Sequence, residues 1–162
     1  ESVTVLVDRE ETLPLFAAPG ARIYAEGLTD PAPAAYGERA ARPEDADVAI
    51  VRIGAPFDPR DDLFLEKWFH QGSLEFPPGL AVRLARIADS APLVIVVNLD
   101  RPAVLTPLLP IASALVADYG SSDEAVLAAL SGRIPPRGVL PVDTATSPLM
   151  PLSPALLDDT IT

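Results

Sequence analysis

Cysteine is absent from this sequence of 162 residues, and histidine and lysine each occur once. Without cysteine the chain has no disulfide, no thiolate metal ligand and no cysteine nucleophile. The only histidine is His70, so a zinc site built from several imidazoles is excluded within this chain. Dinucleotide, phosphate-loop and nucleophile-elbow motifs are also missing. We therefore expect no metal and no cofactor.

Basic clusters and long apolar runs are missing as well. The formal net charge is -11 at pH 7, which disfavours nucleic acid as a partner because phosphate binding needs clustered lysine and arginine. The longest apolar runs, such as residues 93–97, are much shorter than the roughly 20 residues of a membrane-spanning helix, so we expect no membrane partner. No signal peptide is visible.

The start of the chain and its composition carry two weaker indications. The chain begins at Glu1 rather than at methionine, which we interpret as the mark of an excised or processed piece. Arginine replaces lysine almost everywhere, and alanine and proline are abundant, which suggests a GC-rich bacterial genome. The localisation stays open between bacterial cytoplasm and secretion.

Short apolar runs separated by helical patterns organise the chain. The runs are continuous rather than alternating, which is typical of strands that are covered on both faces in a parallel sheet. The sequence therefore predicts an α/β fold, a three-layer α/β/α sandwich with a mostly parallel, doubly wound sheet of five or six strands. The predicted strands are residues 3–7, 21–25, 47–53, 93–98 and 114–119; the predicted helices are 31–41, 63–69, 78–89, 102–109 and 121–130.

The last predicted helix has the clearest boundaries. Ser121 and Glu124 form a Ser-x-x-Glu capping box before an apolar run, and Gly132 suits the end of the helix. The sequence after Gly132 is rich in proline, which favours an extended segment, with a short edge strand possible at residues 138–142. We expect the sandwich domain to occupy residues 1–142 and a proline-rich tail to occupy residues 143–162.

Polar and aromatic residues follow the predicted strands. Ligands of doubly wound sheets bind beyond the carboxyl ends of the strands, so these loops should form the site. Carboxylates and arginines hydrogen-bond hydroxyl groups, and aromatic rings stack on sugar rings, so the loops suit a carbohydrate; a solvated loop edge held by ion pairs is the alternative. The loop of residues 54–75 is long for its type, which favours function. The candidates are Asp58, Arg60, Glu66, Trp68, His70, Asp100 and Arg101.

Five phrases, in order along nearly the whole chain, resemble those of a known family. They are VTVLVDREETLPL (residues 3–15), ADVAIVRIGAPFDPR (46–60), GSLEFP (72–77), PLVIVVNLDRPAVL (92–105) and LSGRIPPRGVLPV (130–142). The last is the most specific, because it is similar to a Phe-Gly-x-x-Asn-Pro-x-Gly-x-Leu-Pro segment. Together they resemble the C-terminal α/β domain of family 3 glycoside hydrolases, of the β-glucosidase or β-N-acetylhexosaminidase type.

The resemblance implies a retaining β-glycosidase whose active site is divided between two domains. A preceding (β/α)8-type barrel supplies the Asp nucleophile and is the expected partner, together with the carbohydrate substrate. The present chain is too short to include that barrel, so we predict that it is inactive alone. Many members place a glutamate acid/base in the loop after the third strand of the second domain. Ala55 stands at that position here.

Three options remain open. Glu66 could supply the acid, the barrel could supply its own acid through a His–Asp pair as in the hexosaminidase branch, or this domain could be purely structural or only frame the substrate. Asp58, Arg60, Trp68, His70 and Asp100 are the predicted substrate contacts, whereas Arg101 is expected to be structural.

A rival function is a non-catalytic scaffolding or interaction domain of flavodoxin-like topology. If a barrel normally covers one face, the isolated chain should expose an apolar docking patch and could self-associate through it.

Overall fold

The computed structural model describes residues 2–9, 11–15, 20–29, 35–59 and 70–138. These residues form one six-stranded sheet and two α-helices, and a single 3-10 turn (Pro43–Asp45) precedes the fourth strand. The strands are β1 (Val3–Asp8), β2 (Arg22–Glu26), β3 (Glu38–Arg39), β4 (Val48–Gly54), β5 (Leu93–Asn98) and β6 (Ala114–Asp118); the helices are α1 (Pro78–Ala88) and α2 (Asp123–Leu130).

The sheet has the order β1-β6-β5-β4-β2-β3 and is parallel except at one edge. β2 to β6 all run in the same direction, whereas β1 pairs antiparallel with β6, with Val3 opposite Asp118. The predicted α/β fold with a mostly parallel sheet is confirmed. Because β1 is reversed, Asp8 lies at the edge opposite the carboxyl ends of the other five strands.

The core lies on both faces of the sheet, because side chains alternate along each strand. Ile95 and Val97 of β5 belong to the apolar cluster that contains Leu84 of α1. Their neighbour Val96 belongs to a second cluster, which contains Leu127 of α2. Helix, sheet and helix therefore form the three predicted layers, and the strands between them are buried on both sides.

Two predicted helices are wrong in the part that the structure describes. In segment 31–41, the amides of Glu38 and Ala40 donate to the carbonyl groups of residues 21 and 23, so the chain extends β2 as β3. In segment 102–109, the chain forms hydrogen-bonded turns over 106–111 instead of a helix, because Pro107 and Pro110 have no amide to donate. The helix predicted at 63–69 and the tail from residue 139 lie outside the described residues.

The ends of α2 are set by local hydrogen bonds. Ser122, not Ser121, is the N-cap, since its side-chain oxygen accepts a hydrogen bond from the Ala125 amide. The predicted capping box is therefore wrong: with Ser122 as the N-cap, the third helical residue is Ala125, which has no side-chain acceptor. The predicted end is confirmed: Gly132 has a left-handed φ of 74° and its amide donates to Ala129 O.

The surface of the described residues shows three exposed large apolar side chains, Phe57, Val82 and Ile134, each in a different segment. The predicted docking patch and self-association stay predictions. Within those same residues, no helix has the length and hydrophobicity to cross a membrane.

Substitution of Leu84 by alanine should destabilise the fold, because this side chain of α1 is fully buried against the sheet. We expect a loss of about 2–5 kcal/mol in the free energy of unfolding, measured by urea denaturation. The matched control is Val82→Ala on the same helix, where the side chain is 57% exposed and the change should stay within about 0.5 kcal/mol. Equal losses in the two variants would contradict the assignment of the buried face of α1.

Candidate functional site

The carboxyl ends of the three central strands meet in register. Gly54 of β4 pairs with Asn98 of β5, which in turn pairs with Asp118 of β6. Beyond the last pairs, the Ala55 amide donates to Asn98 O at 2.9 Å, and the Leu99 amide donates to Asp118 O at 2.8 Å. The loops that follow these strands therefore start side by side at one edge of the sheet.

Ala55 occupies the first position after β4 and is buried. Its methyl group packs into the cluster beneath α1. The place at which the family resemblance implies a glutamate is therefore filled by an apolar contact. The first carboxylate of this loop is that of Asp58, three residues later.

The two described ends of the loop after β4 are fastened to each other by Asp58. The Asp58 amide donates to Gln71 O at 2.7 Å, and the Asp58 carboxylate accepts the Ser73 amide at 2.9 Å. Gly72 lies between them with φ of 89°, and a Cβ there would overlap the Asp58 carboxylate. The Asp58 side chain thus closes the base of the loop, although it remains exposed.

Arg101 also connects the two described ends of this loop. Its guanidinium donates to Pro56 O at 3.2 Å and to Gly72 O at 3.0 Å. These carbonyl groups belong to the outgoing and returning ends of the same loop. The residue after Asp100 therefore holds the loop of β4 against the loop of β5.

His70 and Asp100 meet at this edge. The imidazole Nδ1 of His70 is hydrogen-bonded to Asp100 Oδ2, and the ring stacks on Phe57 with centroids 4.0 Å apart and planes 7° from parallel. The His70 and Asp100 side chains are 45% and 44% exposed, so solvent-borne ligands can reach them. An imidazole, a carboxylate and an aromatic face are joined here.

The predicted site residues are thus brought together in part. Asp58, His70 and Asp100 lie within the two fastened loops. Arg60, Glu66 and Trp68 lie outside the described residues. Beside the loop base, a cavity of about 470 Å³ is lined by both ends of the loop, including Phe57 and Asp58. Within the described part of the chain, no group of three or more metal-binding side chains is assembled.

Sequence reasoning missed a buried ionic network at the same edge. The Arg52 guanidinium binds the Asp118 carboxylate, with Nη2 and Oδ2 2.9 Å apart, and also pairs with Asp123. Thr29 donates its amide to Asp123 at 2.8 Å, and the Ser121 amide donates to Asp118 at 2.8 Å. The signal was an arginine inside an otherwise apolar strand, because a buried charge requires a partner.

The electrostatic balance of this network favours ionised Asp123. Burial opposes ionisation, but the hydrogen bonds from Thr29 and the pairing with Arg52 outweigh it, so the pKa of Asp123 is lowered. Nearby, burial raises the pKa of Tyr119, whose hydroxyl has no hydrogen-bond partner among the described residues. Asn98 Oδ1 is likewise buried and unpaired within the described part of the chain.

Comparisons with known proteins relate this chain to a family, although no family model matches it. The chain is 39% identical over 149 residues to β-glucosidase C of Emericella nidulans, covering 90% of this chain and 24% of that protein. It is 33% identical over 129 residues to the periplasmic β-glucosidase/β-xylosidase of Dickeya chrysanthemi, covering 76% and 19%. The crystal structure of β-D-glucoside glucohydrolase from Trichoderma reesei superposes with a TM-score of 0.68 at 17% identity, covering 90% and 29%.

Fold and similarity together define an α/β sandwich domain related to one part of the β-glucosidases. The chain belongs to family 3 of the glycoside hydrolases, where it corresponds to the C-terminal α/β domain. It spans about a quarter or less of the length of these curated relatives. They come from a fungus and a bacterium, so the bacterial origin stays a prediction.

Replacing Asp123 by asparagine should destabilise the domain by about 1.5–3 kcal/mol at pH 7, because charge-assisted hydrogen bonds to Arg52 and Thr29 are weakened. Since the pKa of Asp123 is lowered in the fold, its contribution is present above its unfolded pKa and is lost as the pH falls through the folded pKa. The difference between wild type and variant should therefore shrink below about pH 4. Urea denaturation from pH 7 to pH 3 measures it.

Glu124→Gln is the matched control for Asp123→Asn, since Glu124 is the adjacent, exposed carboxylate of α2. Its loss should stay within about 0.5 kcal/mol. A deficit in Asp123→Asn that is constant from pH 7 to pH 3 would show that the carboxylate charge is not what stabilises the network.

Proposed function

We propose that this chain is the C-terminal domain of a two-domain retaining β-glycosidase, in which it covers one side of the barrel mouth and shapes the aglycone side of the substrate cleft. The observation that carries the proposal is the 39% identity to part of a β-glucosidase over 90% of this chain. The fastened loops at the carboxyl edge support it, because they offer an exposed rim of polar groups beside a cavity of about 470 Å³.

The reaction proposed for the assembled enzyme is double displacement. An aspartate of the barrel attacks the anomeric carbon, an acid protonates the leaving oxygen, and water then resolves the glycosyl-enzyme. The contribution of this chain is to bind and orient the sugar. Carboxylates and imidazole nitrogens hydrogen-bond hydroxyl groups, and an aromatic side chain stacks on the ring. The residues proposed for these contacts are Asp58, Arg60, Trp68, His70 and Asp100.

The source of the acid is the open part of this proposal. Ala55 leaves the position after β4 without a carboxylate, so a glutamate there cannot serve. Glu66, later in the same loop, is one candidate within this chain. A barrel that carries its own acid is another source.

A second candidate function is a scaffolding domain that takes no part in chemistry. The observation in its favour is the structural use of the loop: Ala55 is buried, and Asp58 and Arg101 are engaged in fastening the loop base. In the assembled enzyme, loss of activity in Glu66→Ala with an unchanged fold would contradict a pure scaffold, whereas retained activity would exclude only Glu66 as the acid. Glu44→Ala is the control, since Glu44 is an exposed carboxylate in the turn before β4, at the opposite edge of the sheet.

Hydrolysis of nitrophenyl β-glucoside and nitrophenyl β-N-acetylglucosaminide tests the function directly. We expect no hydrolysis by this chain alone, because it lacks the nucleophile, and hydrolysis once the chain is joined to its barrel. The barrel without this chain is the control and should be much less active, because one side of its cleft is open. The ratio of the two substrates identifies which sugar the cleft accepts.

Two results would contradict the proposal. Hydrolysis by this chain alone would mean that the nucleophile lies within it. Equal activity of the barrel with and without this chain would mean that the domain does not shape the cleft.

A further inference from the structure

We propose that His70, oriented by Asp100, is the proton donor and acceptor of the glycosidase reaction. The inference deepens the proposed function and rests on it. It concerns the group that supplies the acid, which the family comparison leaves open.

The geometry fixes the imidazole in the manner that proton transfer needs. The Asp100 carboxylate accepts a hydrogen bond from Nδ1 of His70, so the tautomer with hydrogen on Nδ1 is favoured when the ring is neutral. The stacked ring of Phe57 fixes the plane of the imidazole. Nε2 is then the nitrogen that exchanges its proton, and within the described part of the chain no hydrogen bond uses it. A base that is oriented by a third group is the recurring arrangement in proton-transfer sites.

The His70–Asp100 pair is not needed to hold the loops together. The loop base is already closed by the Asp58 carboxylate on the Ser73 amide and by Arg101 on two carbonyl groups. An exposed ion pair contributes only about 0–1 kcal/mol to stability. Holding the loops together therefore does not explain why an imidazole and a carboxylate, each nearly half exposed, are paired at this edge.

The chemistry also fits the residue. An imidazole nitrogen can both donate and accept a proton, which the two steps of the reaction require. Ala55 is buried and carries no acid, so the edge that would face the barrel lacks a carboxylate at the start of the loop. His70 stands at the returning end of the same loop, exposed toward solvent.

Each proton and electron pair is accounted for in this scheme. In the first step, Nε2–H of the imidazolium gives its proton to the glycosidic oxygen. The bond between that oxygen and the anomeric carbon breaks, its electron pair stays on the oxygen, and a barrel carboxylate bonds to the carbon. In the second step, neutral Nε2 takes a proton from water. The water oxygen bonds to the anomeric carbon as the carboxylate leaves, which restores the imidazolium.

The test is the dependence of kcat/KM on the leaving group in the two-domain enzyme. In His70→Ala, phenyl β-glucoside, whose leaving group needs a proton, should lose about 10²–10⁴-fold. The 2,4-dinitrophenyl β-glucoside, whose leaving group needs none, should change by less than about tenfold. Azide attacks without proton removal, so it should raise kcat of the variant on the dinitrophenyl substrate and yield glucosyl azide.

Asp100 is a positioning residue, and its variant gives a second measurement. Asp100→Asn should lose less than His70→Ala but show the same dependence on the leaving group, because the ring is less well oriented. Asp89→Asn is the matched control, since Asp89 is an exposed aspartate that follows α1 at the other edge of the sheet. It should leave both substrates unchanged.

Four results would overturn the inference, and they are distinguishable. A His70→Ala variant that loses both substrates equally, with unchanged thermal unfolding, would assign His70 to binding. Unchanged activity would assign it no role. Leaving-group dependence in Glu66→Ala but not in His70→Ala would assign the acid to Glu66. Failure of the wild-type enzyme to hydrolyse any β-glycoside would instead remove the proposed function itself.

Discussion

The buried charge of Arg52 is the constraint on which the carboxyl edge of the sheet depends. Its side chain is only 14% exposed, so the guanidinium has lost most of its hydration and must be compensated within the protein. Asp118, which is fully buried, and Asp123 provide that compensation. Arg52 lies in β4 and Asp118 in β6, so the network spans β5 and fixes where the loops begin.

The same network sets the start of α2. Asp123 is the first residue of that helix, where a negative charge is favoured by the helix dipole, and it also receives the Thr29 amide from the segment after β2. Four separate segments therefore meet at one set of charges. Asp100 lies two residues after β5, the strand between the two that this network joins.

The sequence predicted the parts that depend on local pattern. The apolar runs located five strands to within about two residues, because continuous burial demands continuous apolar sequence. They could not reveal the direction of β1, since an apolar run reads the same in either orientation. They also missed β3, because Glu38 and Arg39 are exposed and polar and so give no apolar signal.

For the candidate site, the sequence predicted which loops lie together but not which side chains contact one another. The rule that ligands bind beyond the carboxyl ends of parallel strands selected the loops after β4 and β5, which the structure brings together. The pairing of His70 with Asp100 could not be read from the sequence, because 30 residues separate them and the contact exists only through the register of β4 and β5. Arg52 lies within a predicted strand, and its isolation among apolar residues is the feature that indicates a buried ion pair.

The reversed first strand has a consequence for how the domain is tethered. Because β1 runs against β6, Ser2 lies at the carboxyl edge, where its carbonyl accepts the Tyr119 amide at 3.0 Å and its hydroxyl contacts Ser121. A polypeptide joined before Ser2 would therefore begin beside the loops that follow β4 and β5, and not at the far edge of the sheet. A short connection at that point would hold a preceding domain at high effective concentration against that edge. The direction of one edge strand would then favour association of the two domains, so that a large interface between them would not be needed.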